Sequence, residues 1–393
     1  MFPLMRGFLL VCALCALAVP AIARAADPPH DVTLGSPAVV VFGHSVNVTG
    51  TVTPADPDLT VTIEQLAGGA WSTVATATTD ATGAFAASFS AVTGGPLRAR
   101  LDDGGLSSEH HLKALPAVSL TFRHARAFLG VHLAANVQPG SFPRRVHIAV
   151  RAAGRVLART SAGVFSGKIS KRVPTPWAGR VRIRIAFPAA AGLAARTVSR
   201  RIWVAARTLR VGSQGADVRA LHHRLAHLKV HVPGTGKVFS VRTFDSVVAF
   251  QKARGLSRTG VVGTSTWRAL GLVRVFHPRY ARPTPHIEVD KGRQILMIVR
   301  RGKVTGIIPV STGATGNTPV GAWNILWKAP ATSTWLGSAT LYRTMTFHGN
   351  FAIHGYYSVP TYPASHGCVR VPIWEADWLY NQSPVGERVY VYE

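Results

Sequence analysis

The chain has 393 residues, of which 47% are hydrophobic and 16% charged, and it carries a formal net charge of +27. This length predicts several domains at about 100–200 residues each, and the apolar content excludes a mainly disordered chain. The positive charge predicts a polyanionic partner, but charge alone does not separate nucleic acid from an anionic cell wall or membrane.

Residues 1–25 have the pattern of a secretory signal peptide. Arg6 precedes a long apolar run, and small residues follow it around Ala23 and Ala25, which is the order of a positive start, an apolar centre and a cleavage site. We therefore expect an exported protein of the cell wall, the periplasm or the extracellular space, anchored in the membrane if this segment is not cleaved. Cleavage would leave Cys368 as the only cysteine, which predicts an intermolecular disulfide or a reactive thiol.

The sequence predicts one β-sandwich module of the immunoglobulin-like kind for residues 31–115 and another for residues 116–206. Short runs such as SVNVTGTV and GRVRIRIAF alternate apolar and polar residues, and Gly, Pro, Asp and Thr divide them. Regularly spaced runs of this kind favour antiparallel sandwiches. Arg180, Arg182 and Arg184 fall on the polar face of one such strand. This face is either simply solvated or a contact for an anionic wall polymer.

The period changes from strand to helix over residues 207–273. Val218 and Leu221 fall on one face of a first helix, a second helix ends at Gly255, and Thr264 is the expected N-cap of a third. The stretch resembles the type-one peptidoglycan-binding domain, and this resemblance implies binding to wall glycopeptide. The residues that carry it are Leu209, Gly212, Gly215, Val218, Leu221, Thr243, Val247, Phe250, Gln251, Gly255, Leu256, Gly260, Val262, Gly263, Thr266, Trp267 and Leu270.

A linker of residues 274–284 leads to a mainly β domain of residues 285–393. Its strand signals include HIEVD, QILMIVRR, AWNILW and RVYVY, and only WEADWLYN has the pattern of a helix. Together with the preceding modules, these patterns predict a multidomain, mostly β fold.

The segment FHGNFAIHGYYSVPTYPASHGCVRV places three imidazoles close to one thiol. A thiol is a weak nucleophile at its free pKa, and a neighbouring imidazole converts it to thiolate. We therefore expect the reactive form of Cys368 to be a thiolate beside an imidazolium or the proton-shared equivalent of that pair, with His348, His354 and His366 as candidates. Gly367 would let a substrate carbonyl approach closely and would free backbone N–H groups to stabilise an oxyanion.

The run SHGCVR, with an HG pair upstream, resembles the L,D-transpeptidase catalytic domain, also called YkuD. Earlier markers of that family are VDKGRQILMIV, PVSTG and TPVGAW. The resemblance implies Cys368 as nucleophile and His354 as its general base, and it implies that the Gly355 carbonyl orients the imidazole. It also implies that His366 and Gly367 shape the oxyanion side of the site.

Three further residues of this segment have roles that the resemblance leaves open. Arg370 would hold the turn or a substrate carboxylate. His348 is either a packed strand histidine or a pocket residue, and Ser365 fits a turn hydrogen bond better than a catalytic hydroxyl.

Two rival interpretations use the same side chains. Three His and one Cys are ligands that suit zinc, but zinc would consume the only thiol. A sortase also has His before Cys before Arg along the chain. Its cysteine, however, lies in a T-L-x-T-C strand with the Arg well downstream.

The resemblance implies an exported L,D-transpeptidase that releases terminal D-Ala from tetrapeptide stems through a Cys368 thioester and forms 3→3 peptidoglycan cross-links. Its partners would be a donor stem and the amine of an acceptor stem, with no nucleic acid. One imidazole serves as acid and base, so no metal or cofactor is needed.

Two other functions remain as alternatives. Water as acceptor would give L,D-carboxypeptidase trimming at the same site. A wall-binding scaffold with a silent last domain is the alternative from another class, and the intact Cys–His pair argues against it. If the binding and catalytic domains act independently, a fragment that starts near Arg279 should keep its activity.

Overall fold

The structure is a computed structural model, and it describes residues 30–142, 145–190, 192–329, 333–334 and 340–393. The signal peptide predicted for residues 1–25 lies outside the described residues. The fold class predicted from the sequence is confirmed, because the chain is mostly β, with a helical domain followed by a mainly β domain. None of the described helices combines the length and the hydropathy that a membrane crossing requires.

The described chain divides into two compact units. The first comprises residues 30–38, 45–90 and 95–112, and the second comprises residues 39–44, 91–94 and 113–393. The second unit therefore contains the helical domain and the last β domain.

Eight strands form the region before residue 116. They are β1 (Asp31–Val32), β2 (Val39–Val41), β3 (Ser45–Thr53), β4 (Thr60–Ala67), β5 (Ala70–Thr78), β6 (Ala84–Ser90), β7 (Gly95–Leu101) and β8 (His110–Leu115). In the first unit, β1, β3 and β6 form one antiparallel sheet, and β8, β7, β4 and β5 form another in that order. Strand β3 buries Val46, Val48 and Val52, which is the period of two expected when one face covers a core. Strand β2 pairs in parallel with residues 113–115 within the second unit.

Seven strands follow in the region up to residue 204. They are β9 (Ala117–Arg126), β10 (Gly130–Gln138), β11 (Arg145–Ala152), β12 (Arg155–Gly163), β13 (Lys168–Val173), β14 (Gly179–Phe187) and β15 (Arg196–Val204). They form two antiparallel sheets, in the orders β13-β10-β9 and β12-β11-β14-β15. In β14 the apolar residues Val181, Ile183 and Ile185 are buried, and the three arginines of the strand are exposed.

The helical domain consists of three short helices. They are α1 (Ala216–His227), α2 (Val241–Ala253) and α3 (Thr264–Leu272). Helix α2 begins with a capping box, in which Ser240 and Thr243 each satisfy the other's backbone N–H. Thr264, expected as the cap of the third helix, is its first helical residue, because Gly263 occupies the cap position. Phe250 and Trp267 lie in the domain core.

The last domain contains ten strands and one helix among its described residues. They are β16 (His286–Asp290), β17 (Ile295–Arg300), β18 (Lys303–Pro309), β19 (Gly321–Asn324), β20 (Trp327–Ala329), β21 (Ser333–Thr334), β22 (Thr340–His348), β23 (Phe351–Tyr356), β24 (Val369–Pro372), α4 (Ile373–Gln382) and β25 (Arg388–Tyr392). One sheet has the order β18-β17-β16-β25-β19, and the other has the order β20-β22-β23-β24 with β21 paired to β22. Buried residues from both sheets, among them Ile298, Ile353 and Val389, form one core.

Two strands of the second sheet run in parallel, and this pairing builds the region of the predicted site. In β23 and β24, Ile353 lies opposite Val369, and His354 lies opposite Arg370. Parallel neighbours need a crossover connection, and residues 357–368 supply it. Ile353 and His354 of β23 are therefore brought beside Val369 and Arg370 at the start of β24, 16 residues later in the chain.

Candidate active site

Cys368 is the free cysteine of the described residues, and it lies half-buried just before β24. Its thiol donates a hydrogen bond to the Asn350 carbonyl oxygen, with 3.8 Å between sulfur and oxygen. A backbone hydrogen bond from Ala352 also reaches it. The thiol therefore bonds to the backbone that leads into β23 and not to the imidazole of His354.

The turn before Cys368 is closed by one hydroxyl. Ser365 is buried, and its Oγ donates to the Cys368 carbonyl oxygen at 2.6 Å. Ser365 Oγ also accepts a hydrogen bond from the Gly367 N–H at 3.0 Å. The Ser365 hydroxyl thus joins the backbone of Gly367 and Cys368. The sequence favours this turn hydrogen bond over a catalytic hydroxyl.

A second segment of the domain holds this turn from the other side. The Asn317 amide donates to the His366 carbonyl oxygen at 2.9 Å. The Thr318 hydroxyl donates to the Gly367 carbonyl oxygen at 2.6 Å and accepts from the Gly313 N–H at 2.8 Å. The backbone of the two residues just before Cys368 is therefore fixed by polar side chains 49 residues earlier in the chain.

Glycine is required at position 367 on two counts. Its φ is +130°, a conformation that side chains with a Cβ rarely adopt. A Cβ there would also lie 2.4 Å from the ring of Phe351. The sequence predicts that the Gly367 N–H is free to bind an oxyanion. In the structure this N–H is bonded to Ser365, because the serine side chain closes the turn.

His354 lies in β23 with 3% of its surface exposed. Its Nδ1 is 3.1 Å from the carbonyl oxygen of Gly355. A carbonyl can only accept, so Nδ1 must carry the proton, and in the neutral ring Nε2 is left with a free lone pair. The Gly355 carbonyl therefore orients the imidazole and leaves Nε2 able to accept a proton.

Burial sets the protonation of both candidate catalytic groups. Burial, helped by the positive charge of Arg370 and opposed by the bond to Gly355, lowers the pKa of His354 to about 4. Burial raises the pKa of the Cys368 thiol, while the bond from Ala352 and the charge of Arg370 act to lower it. A neutral thiol and a neutral imidazole are thus the favoured resting state. The expected thiolate–imidazolium pair is not favoured, because an ionised group is costly in a buried site.

Arg370 holds the chain that precedes the turn. One guanidinium nitrogen donates to the Ala364 carbonyl oxygen at 3.1 Å, and the guanidinium carbon lies 4.3 Å from the centre of the Tyr356 ring. Its backbone exchanges two hydrogen bonds with Ser311, at 3.0 and 2.9 Å. Of the two roles left open by the sequence, this geometry fits that of holding the turn.

The other two histidines lie in different surroundings. His348 is half-buried at the end of β22, with its ring 3.9 Å from that of Trp323 and 6.2 Å from that of Phe351. The Phe351 ring covers Gly367, so His348 reaches the turn only through an intervening aromatic ring. His366 is exposed beside the nucleophile. In the described part of the chain, no group of three or more His, Cys, Asp or Glu is placed to hold a metal ion.

Several residues that build the site have no role in the sequence-based prediction. Thr318 belongs to the TPVGAW marker, but nothing in the marker shows which backbone atom it would bond. Asn317 and Asn350 carry no local signal, and Phe351 has the pattern of an ordinary strand residue. Their contacts with the turn depend on long-range strand pairing, which a local pattern does not reveal.

Two family models match parts of the chain. The model of the L,D-transpeptidase catalytic domain (YkuD) matches residues 284–391. The model of a peptidoglycan binding domain matches residues 214–270. No curated protein matches the chain.

Three solved structures are similar to the chain. An L,D-transpeptidase from Xylanimonas cellulosilytica is 35% identical over 47% of this chain and 98% of its own, with a TM-score of 0.44. One from Stackebrandtia nassauensis is 24% identical over 47% of this chain and 95% of its own, with a TM-score of 0.30. One from Mycobacterium smegmatis is 12% identical over 70% of this chain and 100% of its own, with a TM-score of 0.25.

Proposed function

We propose that this chain, which belongs to the L,D-transpeptidase family, is an exported cell-wall enzyme that releases terminal D-Ala from tetrapeptide stems and forms 3→3 peptidoglycan cross-links. The observation that supports this proposal is the parallel pairing of β23 and β24, in which His354 lies opposite Arg370, two residues after Cys368, and its Nδ1 bonds to the Gly355 carbonyl. Peptidoglycan as substrate is supported by the matched transpeptidase and peptidoglycan-binding domains.

The first half-reaction would form a thioester. The Cys368 sulfur attacks the carbonyl between the L-centre of a diamino acid and the terminal D-Ala, and its proton passes to Nε2 of His354. The imidazolium then gives this proton to the nitrogen of D-Ala as the C–N bond breaks, so that D-Ala leaves as an amine. Burial lowers the pKa of His354 to about 4, and an imidazolium in such a site releases its proton readily.

The second half-reaction would return the thiol. The side-chain amine of an acceptor stem attacks the thioester carbonyl and loses a proton to His354. The C–S bond breaks, an amide cross-link forms, and the proton passes from His354 to the sulfur. Water in place of the amine would give a carboxylate product, which is L,D-carboxypeptidase trimming by the same residues.

Cys368→Ala tests this function with a purified tetrapeptide as substrate. The parent should release D-Ala and yield cross-linked dimers in mass spectrometry, and the variant should yield neither. Its thermal midpoint and its sedimentation with insoluble peptidoglycan should be retained, since truncating one half-buried thiol costs about 1 kcal/mol or less.

Each other outcome of that experiment points to a different function. Equal D-Ala release by parent and variant would contradict the assignment of Cys368 as nucleophile. D-Ala release without dimers would favour trimming. A parent that sediments with peptidoglycan and releases no D-Ala would favour the wall-binding scaffold.

Anionic wall polymer is a second partner that the charge distribution supports. Residues 116–206 include 16 Lys or Arg and no Asp or Glu. Arg151, Arg182 and Arg201 lie opposite one another on the neighbouring strands β11, β14 and β15, and all three are exposed. Like charges directly opposite one another are destabilising, so this row favours a ligand that neutralises it. A phosphate-bearing polymer suits the planar fork of the guanidinium group.

Charge reversal on this row tests the second partner. Arg182→Glu with Arg201→Glu should weaken binding to soluble poly(glycerol phosphate) about tenfold or more. The matched control, Arg123→Glu with Lys168→Glu, changes the net charge equally on the other sheet and should weaken binding far less. Equal weakening by both pairs would show that only the total charge matters and would overturn the proposed face.

A further inference from the structure

The helical domain is joined to the catalytic domain by backbone pairing as well as by the linker. The Ile307 N–H donates to the Lys229 carbonyl oxygen at 2.8 Å, and the His231 N–H donates to the Ile307 carbonyl oxygen at 3.0 Å. These bonds place Val230 beside β18, the edge strand of its sheet. Unpaired strand edges are usually protected, so the helical domain supplies the cover for this edge.

Side chains extend this contact to helix α4. The His231 ring lies 3.9 Å from that of Trp378 and 5.3 Å from that of Trp374, stacked on both. Its Nδ1 pairs with the buried carboxylate of Glu375. The Trp374 indole N–H donates to the Asp245 carboxylate at 2.9 Å. Two elements of the catalytic domain, β18 and α4, therefore contact the helical domain.

One cation of the helical domain reaches the segment beside the active-site strand. Lys252 in α2 is 1% exposed, and its Nζ donates to the Val310 carbonyl oxygen at 2.7 Å. The next residue, Ser311, exchanges two backbone hydrogen bonds with Arg370. Burying an amine is costly unless it is bonded, and burial lowers the pKa of Lys252 to about 7. The single bond to Val310 thus makes this position sensitive to any shift of the segment.

A second cation reaches the crossover loop, residues 357–364, which leads from β23 to the nucleophile turn. Arg258 donates from one guanidinium nitrogen to the Thr361 carbonyl oxygen at 2.7 Å and from another to that of Gly292 at 3.3 Å. Two further carbonyls of the loop accept bonds from within the catalytic domain. The Tyr362 oxygen is bonded by Ser311 at 2.8 Å, and the Ala364 oxygen by Arg370 at 3.1 Å.

We infer that Arg258 is a positioning residue for the reaction at Cys368, so that the domain that binds peptidoglycan also completes the support of the active site. This inference rests on the proposed function. Arg258 acts through the crossover loop, which carries the turn and its thiol, and its hydrogen bonds go to Thr361 and Gly292 and not to Cys368. A displacement of about 1 Å in a reacting group can cost about a hundredfold in rate. Loosening the loop should therefore lower kcat. KM should change little, because the residues that would contact the substrate are left in place.

Full-length variants and a soluble tetrapeptide test this role, because turnover of a soluble stem does not depend on wall binding. Arg258→Ala should lower kcat about tenfold or more, keep KM within about twofold, and leave sedimentation with insoluble peptidoglycan unchanged. Arg258→Lys retains one donor and should recover part of the loss. The matched control is Arg254→Ala, which removes an exposed arginine four residues earlier and should keep the parental kcat.

The rate at which iodoacetamide labels Cys368 separates this inference from the proposed function. If the parent releases no D-Ala, the proposed function fails, but a changed labelling rate in Arg258→Ala alone still supports the positioning role. A parental kcat and labelling rate in Arg258→Ala would overturn the inference. Equal losses in Arg254→Ala and Arg258→Ala would overturn it too. If Arg258→Ala is unfolded under the assay conditions, Arg258→Lys becomes the deciding variant. A folded Arg258→Lys with the parental kcat, KM and labelling rate would contradict the positioning role.

Discussion

Arg370 places a positive charge near both Cys368 and His354, and it acts on the two groups differently. On His354 the charge and the burial both oppose the imidazolium, so their effects on the pKa add. On Cys368 the charge favours the thiolate, while burial disfavours it. The resting pair is therefore neutral but has a cation nearby that would stabilise negative charge as the thiol loses its proton. A proton transfer timed with substrate attack fits this arrangement better than a permanent thiolate.

This arrangement predicts an unusually low acid limit for turnover. His354 accepts a proton only when it is neutral, and burial lowers its pKa to about 4. We expect kcat for D-Ala release to stay near its neutral value down to about pH 5 and to fall steeply below about pH 4. The measurement is a pH–rate profile with the tetrapeptide.

Acid unfolding is the necessary control for that profile. Because the folded pKa of His354 lies below that of an unfolded histidine, the unfolded chain binds the extra proton between about pH 6.5 and the folded value of about 4. The free energy of unfolding therefore falls as the pH falls through this window, and near-UV circular dichroism should accompany each rate. A fall in kcat near pH 6.5, the value of an unperturbed imidazole, with the fold intact would contradict the assignment of His354 as the base.

At the scale of single elements, local patterns located most of the catalytic domain. The run HIEVD coincides with β16, RVYVY coincides with β25, and WEADWLYN lies within α4. The pairing between elements could not be predicted in this way. Strands β16 and β25 are parallel neighbours, with Ile287 opposite Val389, and about a hundred residues of chain separate them. Only the packed core selects such a partner.

The site shows the same division between local and distant signals. The run SHGCVR placed Cys368 and its turn, and the bond from Ser365 follows from a short-range preference for serine in turns. The contacts of Asn317 and Thr318 depend on a segment that the fold brings back to the turn. The protonation state was also beyond the sequence, because burial sets it and burial is a property of the folded chain.

Gly355 links the packing of two elements to the orientation of the base. A Cβ at this position would lie 2.7 Å from the Ala376 side chain in α4 and 3.0 Å from the ring of Tyr342. Gly355→Ala should therefore push β23 away from α4, destabilise the fold by about 1–3 kcal/mol and move the carbonyl that holds His354. We expect a lower urea midpoint together with a lower kcat.

A matched glycine is available as a control for that variant. A Cβ at Gly236 meets nothing within 4 Å, so Gly236→Ala should change neither the urea midpoint nor kcat appreciably. If Gly355→Ala behaved like this control, the tight packing of β23 on α4 would have no consequence for the base.

Across the whole second unit, the helical domain, which matches a peptidoglycan binding domain, is also part of the structural support of the catalytic domain. The sequence predicts separable domains and an active fragment that starts near Arg279. The buried contacts predict otherwise, because that fragment would expose the edge of β18 and the rings of Trp374 and Trp378. Glu375, fully buried in the intact chain, would also lose its partner His231.

A pair of fragments therefore measures how far the two domains depend on each other. A fragment starting near residue 207 keeps every contact between the helical and catalytic domains, and it should retain the parental kcat on the soluble tetrapeptide. A fragment starting near residue 279 should melt lower, since a buried carboxyl group that loses its hydrogen-bond partner costs about 1–3 kcal/mol and the loop loses Arg258. In the intact chain burial raises the pKa of Glu375 to about 7 although the bond from His231 lowers it, so the loss of that bond favours the protonated carboxyl group and relieves part of this cost in the short fragment. Its deficit in stability should thus shrink as the pH is lowered from 7 towards 5. Equal kcat and equal thermal midpoints for the two fragments at pH 7 would show that the two domains are independent, as the sequence predicts.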